Sequence, residues 1–132
     1  MKTLIVEDTR TSREILRLLL APYGETHIAT NGIEAIEAFK LAWQEKQPYD
    51  LICLDIVMPD MNGHEVLQTI RKMEEEEGIY GVRGVKVIIT TGMDDPDNMV
   101  KAFNTQCEAY LVKPIDKQRL LEELQALGLI KK

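Results

Sequence analysis

Three carboxylates, one or two hydroxyls and one ammonium follow directly on short apolar runs in this chain. Glu7 and Asp8 come after residues 3–6, and Asp55 after residues 51–54. Thr90 or Thr91 closes the run 85–90, and Lys113 follows residues 109–112. Gathered in one pocket, three carboxylates would repel one another and raise each other's pKa unless a cation were present. A hard divalent ion suits such oxygens. Mg²⁺ uses one or two carboxylates, keeps several waters and takes its remaining ligands from phosphate. Metal and ammonium would neutralise phosphoryl oxygens while a carboxylate attacks in line, and aspartate is a nucleophile of this kind, forming an aspartyl phosphate. Each piece alone says little. Paired acids are ordinarily surface charges or caps, and a Lys-Pro step such as Lys113-Pro114 ordinarily marks a turn. The joint placement carries the information.

What must position these residues is legible as alternation. Apolar runs at 3–6, 26–29, 51–54, 85–90 and 109–112 have the length and β-branched content of strands. Helical patterns lie between them. Thr11-Ser12-Arg13-Glu14 has a capping-box sequence before Ile15, Leu16, Leu19 and Leu20. Asn31-Gly32-Ile33-Glu34 starts a second helix, with Ile33, Ile36, Phe39 and Trp43 near one face. Gly63 or His64 opens a third, running towards Met73. Asp95-Pro96 is a cap followed by proline at the first helical position, and Asp116 caps a last helix striped by Leu120, Leu121, Leu124 and Leu127. The acids Glu74 to Glu77 read as a solvated helix end that opposes the helix dipole. Strand and helix alternate five times, so the fold expected is α/β, a doubly wound five-stranded parallel sheet with helices on both faces. In such sheets ligands bind beyond the carboxyl ends of the strands, where the carboxylates, hydroxyls and ammonium fall.

Composition sets the bounds. The chain has 132 residues, one domain's length, and a formal charge of −6 that argues against direct DNA binding. No apolar run is long enough for membrane insertion, and the N-terminus lacks a secretory pattern, so a cytoplasmic location is expected. Cys53 and Cys107 read as unpaired thiols there, and His27 and His64 form no zinc spacing.

Four segments then resemble the signature segments of response-regulator receiver domains from two-component signalling, in the same order. They are Ile5-Val6-Glu7-Asp8, Asp55-Ile56-Val57-Met58-Pro59-Asp60-Met61-Asn62-Gly63, Ile88-Ile89-Thr90-Thr91-Gly92 and Tyr110-Leu111-Val112-Lys113-Pro114. The resemblance spans about residues 3–127. It implies a flavodoxin-like (βα)5 fold with strand order 2-1-3-4-5, as one receiver domain over 1–132 without an output domain, in the manner of single-domain chemotaxis proteins. It further implies phosphorylation at Asp55 and Mg²⁺ held by Asp8, Asp55 and the Val57 backbone carbonyl, with Glu7 acting through water. Lys113 would pair with the phosphoryl group. Thr91 would be the switch hydroxyl, with Thr90 turned to the core, and Tyr110 the switch aromatic. The Lys113-Pro114 bond is expected to be cis. Gly92 stands where the family commonly has alanine, which would loosen the switch loop.

The implied partners are a histidine kinase or histidine phosphotransfer protein that donates the phosphoryl group, and a downstream protein target such as a motor protein, a phosphorelay protein or a separate enzyme. The chain would be no enzyme beyond catalysing its own phosphorylation and dephosphorylation. Val57 and Met93, both apolar, flank the expected route of the attacking water, so slow self-dephosphorylation is expected. Rival readings are weaker. A haloacid-dehalogenase-type phosphatase needs a second aspartate where Val57 stands. A nucleotide or flavin binder of flavodoxin topology needs a Ser/Thr/Gly-rich loop where Glu7 and Asp8 stand. A pseudo-receiver that only binds protein, and a receiver cut from a longer regulator, are the remaining alternatives.

Overall fold

The computed structural model describes residues 1–58, 61–79, 84–92 and 107–131. Five parallel strands form one sheet in the order β2-β1-β3-β4-β5. They are β1 (Lys2–Val6), β2 (Glu25–Ala29), β3 (Leu51–Asp55), β4 (Lys86–Thr91) and β5 (Ala109–Val112). The helices are α1 (Arg10–Leu20), α2 (Gly32–Gln44), α3 (Gly63–Glu76) and α4 (Lys117–Ala126), and a single 3₁₀ turn at Ala21–Tyr23 follows α1. The expected helix beginning at Asp95-Pro96, and the signature residues Pro59, Asp60 and Met93, lie outside the described residues. No helix among the described residues is long and apolar enough to cross a membrane.

The sheet divides two cores by strand alternation. Leu4, Val6, Ile52, Leu54, Val87 and Ile89 face α2 and α3. Ile5, Leu51, Cys53, Ile88, Ala109 and Leu111 face α1 and α4, meeting Leu16, Leu20, Leu120 and Leu124. β3 is buried at every position and reads as a continuous apolar run, as a strand covered on both sides must. Edge strand β2 carries exposed Glu25 and Ile28. Each fully buried Leu or Ile adds about 1.5–3 kcal/mol relative to exposure. Burial also pushes the Cys53 thiol up to about 12, the state of an inert core side chain, and neither cysteine is disulfide-bonded.

Three local expectations change. α1 begins at Arg10 with Thr9 as a cap whose side chain makes no capping bond. The pattern at Thr11 fails because Glu14, which would have to reach back, bonds Arg17 instead at 2.7 Å. On α2 the capping at Asn31 holds: its side chain accepts from Glu34 N at 2.9 Å, while Glu34 accepts from Thr30 N at 2.8 Å. Its buried face is Ala35, Phe39 and Ala42, whereas Ile33 is 54% exposed. Apolar residues nearly encircle α2, so periodicity left its face open, and the sheet takes the side with two small alanines flanking Phe39. Glu74 is the third change. It is buried, accepting from Val85 N at 2.7 Å and from Arg71 Nη1 at 2.8 Å. Arg71 also donates to Val85 O at 2.8 Å and to Glu108 at 2.9 Å, and Glu108 accepts from Val87 N at 2.8 Å. This cluster fastens the end of α3 to the amino ends of β4 and β5.

Candidate functional site

The register of the sheet assembles the site. Val6 pairs with Leu54, and Asp55 with Thr90, so the residues that follow β1 stand beside the end of β3. Glu7 N–H still donates to Ala29 O at 3.1 Å, which continues the β1–β2 ladder past the strand and holds the acid in place. Arg13, one turn into α1, donates to the carbonyls of Glu7 and Asp8 at 3.3 and 3.0 Å and clamps the acidic pair by its main chain. On the far side, Lys113 N–H donates to Thr91 O at 2.6 Å, extending the β4–β5 ladder, and the Lys113-Pro114 peptide bond is cis.

Glu7, Asp8 and Asp55 meet. One carboxylate oxygen from each lies within 4.8 Å of the others. Glu7 is 0% exposed and Asp55 4%, while Asp8 opens to solvent. The Lys113 ammonium bonds Glu7 Oε1 and lies 3.5 Å from Asp55 Oδ1. Among the described residues, two of the three acids thus share one ammonium. Burial, then hydrogen bonding and repulsion from Glu7, push Asp55 up to about 8, against the pull of Lys113 and of the Val57 N–H that bonds its carboxylate. Glu7 Oε2 is buried with no hydrogen-bond partner among the described residues. An anion so placed is costly unless a cation completes it.

Ile56, just after β3, and Gly63, at the start of α3, are held as tightly. Gly63 N–H donates to Ile56 O at 2.8 Å, and a Cβ on Gly63 would lie 2.4 Å from Asp55 O. Only glycine lets the start of α3 approach the end of β3 this closely, while Asn62 caps the helix by accepting from Glu65 N at 3.0 Å.

Of the residues singled out in the sequence, Glu7, Asp8, Asp55 and Lys113 come together at one sheet end. Thr91 is fully buried. With Tyr110, which packs against the α2–α3 core, it belongs by alternation to the opposite face from Asp55. Val57 presents an exposed side chain, with its main-chain N–H on Asp55. The direct Glu7–Lys113 pair was not foreseen, because the residues lie 106 positions apart and no local spacing signals it. Arg13 was read only as part of a cap. Gly63 was visible as the last residue of the Asp55 segment, but its steric reason needs coordinates.

Known proteins resemble this chain. The family description "Response regulator receiver domain" matches residues 3–125. The chemotaxis protein CheY of Thermotoga maritima is 30% identical over 129 residues, covering 96% of this chain and 97% of that protein. A probable histidine kinase 2 of Oryza sativa subsp. indica is 31% identical over 137 residues, where the chain covers only 13% of the relative's length. Among solved structures, the CheY-like response regulator receiver domain protein of Methanospirillum hungatei superposes with a TM-score of 0.78 at 28% identity, covering 97% of this chain and 92% of that one.

Proposed function

This chain belongs to the response regulator receiver domain family, and from that premise we propose that Asp55 accepts a phosphoryl group from a phosphohistidine of a partner kinase or phosphotransfer protein, switching a protein-binding surface. The observation that carries the reading is the charge-unbalanced trio of buried Glu7, exposed Asp8 and buried Asp55, with Lys113 bridging the two buried acids.

The donor set fits Mg²⁺. All three acids offer hard oxygens, and the orphaned Glu7 Oε2 is an acceptor in want of a cation. Asp8, Asp55 and the Val57 carbonyl would hold the ion, with Glu7 through water. When bound, Mg²⁺ neutralises phosphoryl charge and favours the ionised acceptor. The protein's own residues do the rest. An Asp55 carboxylate oxygen attacks phosphorus, the phosphorus–nitrogen bond to the donor imidazole breaks, and its electron pair stays on that nitrogen. Lys113 exchanges its carboxylate partners for a phosphoryl oxygen, a positioned charge already within 3.5 Å of Asp55. Thr91 turns towards the new phosphate, and Tyr110 fills the space it leaves, so a local charge event biases a two-state surface. The target is a protein, and the location proposed is cytoplasmic.

The test is phosphorylation by acetyl phosphate with Mg²⁺, followed by radiolabel. Asp55→Asn is expected to abolish incorporation, and undiminished incorporation would sink the assignment. A protein-binding pseudo-receiver would show none in the unaltered chain.

A further inference from the structure

We infer that Thr90 is a positioning residue for phosphoryl transfer: its buried hydroxyl accepts a hydrogen bond from the Lys113 ammonium once that ammonium leaves Glu7. The inference rests on the receiver reading given above.

β4 lies between β3 and β5. Thr90 is in register with Asp55 on one side and with Leu111 on the other. Strand alternation continues the face of Cys53, Ile88 and Leu111 through Asp55, Thr90 and Lys113. Lys113 follows β5, yet its ammonium reaches Asp55 at the end of β3 and Glu7 beyond β1. Its aliphatic stem therefore crosses the end of β4 on the face where Thr90 stands.

Thr90 is 1% exposed, and its Oγ1 has no hydrogen-bond partner among the described residues. A hydroxyl buried without a partner is destabilising, and valine would fill the same volume without that cost. A threonine here makes chemical sense if the hydroxyl finds its partner in another state. An ammonium has three donors and no acceptor capacity. In the resting pocket Lys113 donates to Glu7 and lies 3.5 Å from Asp55 Oδ1. When Asp55 carries a phosphoryl group, one donor goes to a phosphoryl oxygen. The hydroxyl beneath the stem can take a second, which fixes the ammonium over the reacting centre. No bond is made or broken at Thr90, and no proton leaves it.

The experiment compares Thr90→Val and Thr90→Ser with the unaltered chain in the rate of phosphoryl uptake from acetyl phosphate at saturating Mg²⁺, together with thermal unfolding. Thr90→Val is expected to slow uptake roughly tenfold, the scale of one charge-assisted hydrogen bond, with the melting temperature unchanged or raised. Thr90→Ser, which keeps the hydroxyl, is expected to restore the rate. In a Lys113→Met background the valine change is expected to have no further effect. Uptake by Thr90→Val within twofold of the unaltered chain overturns the inference. So does a serine variant as slow as the valine one, or an undiminished valine effect without Lys113. If the unaltered chain itself takes up no phosphoryl group, the receiver reading fails instead.

Discussion

Two clusters of buried charge occupy opposite ends of the sheet, and they are built on opposite rules. At the amino end, Arg71 serves Glu74 and Glu108, and main-chain N–H groups of Val85 and Val87 complete both acids. At the carboxyl end, Lys113 bridges two of three acids, and a buried oxygen of Glu7 goes without a hydrogen-bond partner among the described residues. Both clusters contain excess acid. The amino-end cluster answers it with backbone donors that never leave; the carboxyl-end cluster leaves it open. Excess charge alone therefore does not mark the working end. The open acceptor on Glu7 does under the receiver reading proposed above, because a cation would complete it.

The comparison can be broken at the amino end first. Arg71→Ala strands buried Glu74 and half-buried Glu108 and is expected to cost about 3–5 kcal/mol, read by chemical denaturation, while folded protein still takes up phosphoryl groups. A loss under about 1 kcal/mol, the scale of a surface pair, would deny the cluster its fastening role.

The opposite response is expected at Asp55. Its folded value stands at about 8 against an ordinary 3.8, so between these the folded chain holds a proton that the unfolded chain has released. Stability contributed by this group is therefore fully present below the unfolded value and falls as pH rises towards 8. Asp55→Asn is expected to stabilise the cation-free protein at pH 8 by on the order of 2 kcal/mol and to flatten the decline between pH 4 and 8. Mg²⁺ should shrink the same decline in the unaltered chain. A variant less stable than its parent at pH 8 would contradict the charge imbalance.

Two glycines sharpen the picture at smaller scale. Gly63→Ala drives a methyl into the Asp55 carbonyl and is expected to cost about 1–3 kcal/mol and to weaken Mg²⁺ binding, measured by calorimetry. At Gly92 a Cβ meets nothing within 4 Å among the described residues, so Gly92→Ala is expected to shift stability by no more than about 1 kcal/mol, towards stabilisation.

The sequence disclosed the working end better than the fastening end for a physical reason. Residues that follow strands inherit their position from the sheet, so Glu7, Asp55 and Lys113 could be placed together from alternation alone. Arg71 and Glu74 show only as helix-surface charges at i,i+3, and their partners lie across a loop whose path local spacing does not encode. The same limit hid the Glu7–Lys113 pair and the exposed side of α2. The expected start of α1 went wrong because Arg17 competed for Glu14, a choice between two local partners that a motif cannot weigh.

The most direct measurement is borohydride trapping after exposure to acetyl phosphate and Mg²⁺, with the reduced site located by peptide mass spectrometry. An acyl phosphate on Asp55 predicts homoserine at that position alone, and none when a chelator removes the metal. Homoserine at Asp8 or 5-hydroxynorvaline at Glu7 in place of homoserine at Asp55, or no reduction product at all, would contradict the account.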